Sequence, residues 1–352
     1  DHLPFVSGVV GVFGWDSVRA VETLPPRKGS GPAHPDAVLM AVGEMLVFDH
    51  WRQTITVIVN SATTKGQTFA GVADRIESLV RRLAEPSPEY LRLHRDRSSL
   101  PLAKHSRTVS SESFQSMVLE AKEQIAAGEV FQIVLSQRFD MGEIKDPFEV
   151  YRVLRQVNPS SYLYYVHTEG VVGERLTIVG SSPEALVHVR NGRVTTRPIA
   201  GSRPRGSNEL ENAQRAASLR EDPKEIAEHV MLVDLARNDI GRVCAFGSVK
   251  VPEMMVIERY SHVMHLVSTV TGTLADGRTA VARVVGHWLT WPGCRGRGRG
   301  RLHSSARCSQ VVIFIHPTRT IRLTWAATKG QSREDRCVCE TSTRFMGREE
   351  AP

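Results

Sequence analysis

Cysteine is almost missing from most of this 352-residue chain. Cys244 is the one thiol in residues 1–274; Cys294, Cys308, Cys337 and Cys339 all lie beyond. A single thiol supports no disulfide framework, so this part of the chain reads as a protein of a reducing compartment. The later cysteines lack zinc-ligand spacing, and no zinc site is expected. No run of eighteen or more apolar residues occurs, which argues against a membrane-spanning helix. The opening "DHLPFVSG" has no initiator Met and no charged-then-apolar leader. A mature form or a fragment is expected, not a secreted precursor. No internal repeat is found at any fixed period.

The formal charge of +7 invites a nucleic-acid reading, but its placement argues against one. Residues 275–352 hold thirteen Arg and one Lys against six acids, a surplus of eight, which leaves residues 1–274 at −1. The run "CRGRGRGR" is short and has no interleaved aromatics, so no nucleic-acid partner is expected. What remains is a near-neutral body. With 41% apolar residues over the chain, it can build a sizeable core in one large domain or two ordinary ones.

Along that body, "VVGVFGW" and "MLVFDHWRQTITVIVN" are rich in β-branched and aromatic residues and predict strands. "PPRKGSGPAHP" between them predicts a loop. Residues 67–84 place Phe69, Val72, Ile76, Leu79, Val80 and Leu83 at helical spacing. Residues 86–110 read as a linker. A second helix, "SSESFQSMVLEAKEQIAAG", buries Phe114, Met117, Val118, Ala121 and Ile125 and is capped by Gly128. "EVFQIVLSQRF" follows as a strand. Asp146 and Pro147 start a helix that Pro159 stops. Asn191-Gly192 suits a type I′ turn between two β-rich arms. This order of elements predicts a mixed α+β or α/β layered fold.

Three stretches can carry chemistry. In "EDPKEIAEHVMLVDLARND", Asp222 is a helix N-cap, Pro223 takes the first helical position and Glu225 stands where a capping-box acid would. Ile226, Val230 and Val233 make an apolar stripe. Glu225 and Glu228 share one face, and two such carboxylates can hold Mg²⁺ with some of its waters. They can equally be a cap and a solvated surface acid. Asp234, Arg237, Asn238 and Asp239 read as an ion-paired helix end. In "ERYSHVMHLVSTVTG", Val263, Val267, Thr269 and Val270 favour a strand, which turns His262 and His265 to opposite faces. One of them can then serve a site, and His is suited to moving protons near neutral pH. In "RPIAGSRPRGSN", the glycines and prolines predict a tight loop. Arg197, Arg203 and Arg205 supply fixed positive charge around it. Backbone N–H groups near Gly201 and Ser202 with an Arg fork could hold a carboxylate; an exposed basic turn is the alternative.

Six stretches occur in order over residues 129–272: "GEVFQIVLSQRF", "NPSSYLYYV", "IVGSSPEALVHV", "RPIAGSRPRG", "KEIAEHVMLVDLARNDIGRVC" and "IERYSHVMHLVSTVTG". Together they closely resemble the chorismate-binding domain of anthranilate synthase component I, a chorismate-utilising family. The opening of the chain resembles the second half of that family's N-terminal domain. The resemblance implies an α+β fold, a two-domain sandwich of antiparallel sheets flanked by helices. It divides the chain into a partial N-terminal, regulatory-type domain (1–100), an incomplete catalytic domain (101–281) and a basic tail (282–352) foreign to the family.

The implied reaction converts chorismate and ammonia to anthranilate and pyruvate in tryptophan biosynthesis. Ammonia would come from a glutamine amidotransferase partner, and no membrane partner is implied. The implied cofactor is Mg²⁺, with Glu228 matching a direct ligand and Glu225 its helper one turn away. His265 matches the active-site His, and Gly201, Ser202 and Arg203 match the chorismate-binding loop. Ala200 stands where aminodeoxychorismate synthases often carry Lys, which favours anthranilate synthase over that alternative. The implied compartment is the cytoplasm, or a plastid in a photosynthetic eukaryote.

The chain departs from the family in three places. Ser202 replaces a Thr and keeps the hydroxyl. "NPSSYL" replaces "NPSPYM", so Ser161 and Leu163, on either side of Tyr162, alter the residues that the resemblance places in the family's tryptophan feedback pocket. After "TGTLADGRTAV" the family's remaining motifs and metal-binding acids are missing, and the Arg, Cys, Gly and Trp bias reads as sequence foreign to it. That loss is expected to leave sheet edges unpaired and the chain inactive. A non-catalytic copy that still binds the amidotransferase is the further alternative.

Overall fold

The computed structural model describes residues 3, 5–14, 17, 19, 35–61, 68–86, 105–130, 132–168, 176–182, 184–260 and 262–277, and beyond them the backbone of strands at 309–316, 320–327, 329–331 and 336–346. The chain begins with β1 (Val9–Phe13), β2 (Ala37–Ala41), β3 (Glu44–Asp49), β4 (Thr54–Val59) and helix α1 (Phe69–Ala84). Next are β5 (Ser106–Arg107), α2 (Ser111–Ala126), β6 (Gln132–Glu143), α3 (Pro147–Val157), β7 (Tyr162–Thr168) and β8 (Leu176–Ser182). β9 (Ala185–Arg190), β10 (Arg193–Thr196), β11 (Ile199–Pro204), α4 (Glu209–Glu221), α5 (Pro223–Gly241), β12 (Lys250–Arg259) and β13 (Val263–Thr273) follow. The last strands are β14 (Ser309–His316), β15 (Thr320–Ala327), β16 (Lys329–Gln331) and β17 (Arg336–Met346).

Two antiparallel sheets carry the molecule. The larger runs β11-β13-β10-β9-β15-β14-β1-β2, with β12 also on β13; the smaller runs β5-β6-β17-β16-β8-β7. β3 and β4 form a separate hairpin. With five helices among the described residues, this is the α+β sandwich the sequence predicts. Val12 and Val38 of the larger sheet pack against Tyr164, Val166, Leu176 and Ile178 of the smaller one. Burying such a Val or Ile side chain stabilises by about 1.5–3 kcal/mol. Tyr164 lies directly opposite Gly180, and its hydroxyl fills the space a Cβ at Gly180 would need, 1.9 Å away. A glycine is required there for the aromatic ring to lie flat on the neighbouring strand.

Local signals explain most elements. The Asp146 carboxylate accepts the Phe148 N–H at 2.9 Å with Pro147 at the first position of α3, as its sequence dictates. Asn191 and Gly192 both take positive φ, 50° and 75°, which is the type I′ geometry between β9 and β10. α2 buries Ala121 and Ile125 and half-buries Phe114, Met117 and Val118, and Gly128 takes φ 75° after it. α1 buries a narrower stripe than its periodicity suggests. Leu79 is buried, Val72 and Ile76 are half-buried, and Phe69, Val80 and Leu83 are exposed.

Three expectations change. "RPIAGSRP" is not a free loop: residues 199–204 form β11, paired with β13 and broken by a bulge between Ala200 and Ser202. The inner face of α5 is His229, Leu232, Val233, Ala236, Asp239 and Ile240. Val230 is exposed, because the helix turns His229 toward a buried polar partner. Finally, the sheets are not left open after residue 281. β17 pairs along the length of β6, β16 with β8, β15 with β9, and β14 with β1. Runs such as "QVVIFIH" and "TIRLTW" have strand-forming composition, and the backbone groups of β6, β8 and β9 gain partners. The boundary at residue 100 falls outside the described residues, as do most of the expected 86–110 linker, most of "PPRKGSGPAHP", "CRGRGRGR", Cys294 and Cys308.

Candidate functional site

The site grows from the bulge in β11. Gly201 takes φ 76°, a left-handed conformation that costs other residues about 1–2 kcal/mol. A Cβ there would also stand 3.1 Å from Glu225 Oε2 and from Leu219 Cδ1. So the backbone at Gly201 lies close against α4 and α5. The next two residues reach two different groups. Ser202 Oγ is 2.7 Å from His265 Nδ1. Arg203 reaches α5: its Nη2 donates to Asp222 Oδ2 at 2.7 Å and its Nη1 to Glu225 Oε1 at 3.2 Å.

Helix α5 is set by its start. The Asp222 carboxylate accepts the Lys224 and Glu225 N–H groups at 3.0 and 3.3 Å. Those N–H groups, foremost that of Glu225, hold the Asp222 carboxyl below the usual range, and Arg203 adds to the effect. Glu225 and Glu228, one turn apart, are both half-buried. Their neighbour His229 is completely covered. His229 Nε2 meets Ser268 Oγ at 2.6 Å, and the same hydroxyl accepts the Met255 N–H at 2.9 Å. Burial pushes the His229 imidazole below its ordinary pKa. Its Nδ1 has no hydrogen-bond partner among the described residues; the Ala200 backbone opposes the shift without reaching bonding geometry. Ser268 thus joins α5 to β12 and β13 behind the two carboxylates.

On the strand side, Met264 and Leu266 pack with Ala216 and Leu219 of α4, and the alternation of β13 turns His265 the other way. His262 lies outside the strand and is exposed, so His265 alone of the pair joins the site. Burial lowers its pKa, opposed by the Gly201 backbone and the Glu258 carboxylate. Tyr260 stands edge-on to the His265 ring at 5.6 Å. Its hydroxyl donates to Glu258 Oε2 at 2.8 Å, and Arg197 pairs with Glu258 Oε1. The rest of the loop is pinned by Asn212, whose Oδ1 accepts Arg205 Nε at 3.0 Å and the Gly206 N–H at 2.8 Å.

The structure therefore gathers Gly201, Ser202, Arg203, Glu225 and His265, with Glu228 on the same helix turn as Glu225. Ser161, Tyr162 and Leu163 lie elsewhere, at the start of β7 in the smaller sheet. Sequence reading missed Glu258, Tyr260, His229 and Ser268. The signal was there for the first two: in "IERYSHVMH" Glu258, at the end of a strand, and Tyr260, just past it, are two apart and precede the turn that leads back to His265. The donors suit a hard cation that keeps waters and takes substrate oxygens, since Mg²⁺ is commonly held by one or two carboxylates. Arg203 already sets a cationic group against Glu225. Among the described residues no three metal-binding side chains converge, so the protein would supply part of the coordination. Among them, too, no helix is long and apolar enough to cross a membrane.

The model of the chorismate binding enzyme family matches residues 1–285. Anthranilate synthase component 1 of Mycobacterium tuberculosis is 43% identical over 290 residues, covering 80% of this chain and 55% of that protein. The protein of the same name from Synechocystis is 42% identical over 332 residues, 90% of this chain and 63% of that one. The crystal structure of anthranilate synthase component I from Streptococcus pneumoniae superposes with a TM-score of 0.80 at 30% identity, over 98% of this chain and 77% of that one. The chain spans about half the length of the M. tuberculosis relative.

Proposed function

The chain belongs to the chorismate-binding enzyme family, and from that premise we propose that it is an anthranilate synthase component I. The proposed reaction takes chorismate and ammonia to anthranilate, pyruvate and water. The observation that carries it is the β11 bulge, where Ser202 engages an imidazole and Arg203 engages a carboxylate of α5. A substrate with two carboxylates and a ring hydroxyl needs both: fixed positive groups for the anions and a neutral imidazole for the departing hydroxyl.

In this reading the backbone at Gly201 and Ser202, with Arg203, binds a carboxylate of chorismate. Glu225 and Glu228 would hold Mg²⁺, which supplies positive charge to the ring carboxylate. Burial favours the neutral form of His265, so it can hydrogen-bond the departing hydroxyl and, as a base, take the proton lost as the ring becomes aromatic. Ser202 fixes Nδ1 and leaves Nε2 for the substrate. Ala200 supports anthranilate over aminodeoxychorismate as product, because no Lys stands there to act as a nucleophile. A glutamine amidotransferase subunit would supply ammonia. We keep the proposed division at residues 100 and 281. Because β14–β17 pair into both sheets, we expect weak turnover in place of the inactivity that open sheets would cause, with Glu225 and Glu228 as the two metal carboxylates among the described residues.

The test is formation of fluorescent anthranilate from chorismate and ammonium, with and without Mg²⁺. Mg²⁺-dependent product that disappears in His265→Gln supports the assignment. Aminodeoxychorismate as product, or chorismate that neither binds nor reacts, overturns it.

A further inference from the structure

Glu258 has no part in the reaction as described, yet it stands beside the residue at its centre. β12 and β13 pair antiparallel with Glu258 directly opposite His265. Residues so placed share a sheet face, with Cβ atoms about 4.5–5.5 Å apart. Both carboxylate oxygens are committed: one to the Arg197 guanidinium, the other to the Tyr260 hydroxyl at 2.8 Å. Tyr260 in turn presents its ring edge-on to His265, centroids 5.6 Å apart. Ser202 holds the opposite side of the imidazole at Nδ1.

We propose that Glu258 is a positioning residue for His265: it fixes Tyr260 against the imidazole and places a negative charge beside it, with Arg197 as the counter-charge. This rests on the reading of His265 as the reacting imidazole. The groups facing His265 are Ser202 from β11, Glu258 from β12 and Tyr260 just past its end, with Arg197, from the β10–β11 connection, set behind the Glu258 carboxylate. Glu225 lies beyond the Gly201 backbone, where Arg203 pairs with it. A carboxylate beside an imidazole favours the imidazolium, whereas burial favours the neutral ring. Glu258 therefore keeps a half-buried His within reach of protonation during the reaction. Arg197 limits that effect, so that the resting ring stays neutral.

The two charges make predictions of opposite sign. His265 is followed by NMR titration of its imidazole in the full chain, assigned by the resonance lost in His265→Gln. Glu258→Gln removes the negative charge and leaves Arg197, so His265 should titrate at lower pH than in the parent. Arg197→Gln releases the Glu258 charge, so His265 should titrate at higher pH. Arg197→Lys keeps the counter-charge and should restore the parent titration. Glu258 and Arg197 are both partly exposed, so these variants disturb no packed core. Shifts in the same direction, or no shift in either, would overturn the proposal, because a merely structural pair has no reason to act with opposite signs. The titration needs no substrate. A parent chain that forms no anthranilate defeats the assigned reaction, while the signed shifts still decide the role of Glu258.

Discussion

Ser202 Oγ lies 2.7 Å from His265 Nδ1, across sixty-three residues of sequence. The contact exists because β11 and β13 are neighbours with Ser202 opposite His265, so strand register delivers the hydroxyl to the ring. One residue further, Arg203 turns to α5 and pairs with Glu225 and Asp222. A dipeptide thus couples the imidazole to the carboxylate helix, and the bulge at Gly201 makes room for both.

The hydroxyl at position 202 is the first thing to test. Ser202→Ala leaves Nδ1 without its partner, and such a bond contributes about 0.5–1.5 kcal/mol. Chorismate affinity should fall by roughly 2- to 10-fold on that scale, measured by calorimetry with Mg²⁺ present. Ser202→Thr retains the oxygen and should bind as the parent does. Equal affinity for all three proteins would remove Ser202 from the site.

Stability should depend on pH through one buried and one half-buried imidazole. His229 and His265 both have folded pKa values below the ordinary 6.5. The unfolded chain then binds protons that the folded one does not, so unfolding becomes easier as pH falls. Their contribution is complete above about pH 6.5, the unfolded value, and is lost progressively from there down to the folded pKa values. Denaturant midpoints at pH 7.5 and 5.5 should show the loss, and His229→Gln should reduce it. A His229→Gln protein with the parent's full pH slope would show that His229 is not the buried neutral group described.

What the sequence could disclose follows from range. The start of α3, the Asn191-Gly192 turn and the Asp222-Pro223 start of α5 are local chemistry, and each was readable from a few adjacent residues. The candidate residues Gly201, Ser202, Arg203, Glu225 and His265 were readable through family resemblance. Their partners were not. Arg203 with Glu225, Arg197 with Glu258 and His229 with Ser268 are long-range pairs set by strand register and helix rotation. The rotation of α5 shows the limit: an apolar stripe through Val230 is the better periodic fit, but His229 finds Ser268 inside and the helix turns to it. Likewise, whether β6, β8 and β9 keep open edges depended on strands more than a hundred residues away.

Gly201 should be intolerant of any side chain. Gly201→Ala meets a backbone penalty of about 1–2 kcal/mol for its left-handed φ and crowds Glu225 and Leu219. Gly201→Asn tolerates that φ better but crowds the same atoms. Both variants should lose chorismate binding, with Gly201→Ala unfolding at lower denaturant than the parent. An Ala variant that is as stable as the parent and binds normally would contradict the bulge geometry.

Arg203 offers the sharpest test of how the carboxylates are used. Its guanidinium spans Asp222 and Glu225, which a planar fork can do and a single ammonium cannot. Glu225 is mostly covered, with 17% of its side chain exposed, so a cation beside it matters more than at an open surface. If Mg²⁺ binds at Glu225 and Glu228, it must share or displace that guanidinium. Arg203→Ala should then be stabilised more by Mg²⁺ than the parent is, since ligand binding to the folded state raises the unfolding midpoint. Arg203→Lys should fall between the two. Chorismate binding should nevertheless weaken in Arg203→Ala, because the fixed positive charge of the loop is gone. The two measurements separate the roles: a larger Mg²⁺ shift with weaker chorismate binding means Arg203 is both counter-ion and substrate anchor. Identical Mg²⁺ shifts in all three proteins would mean the metal binds without engaging Glu225.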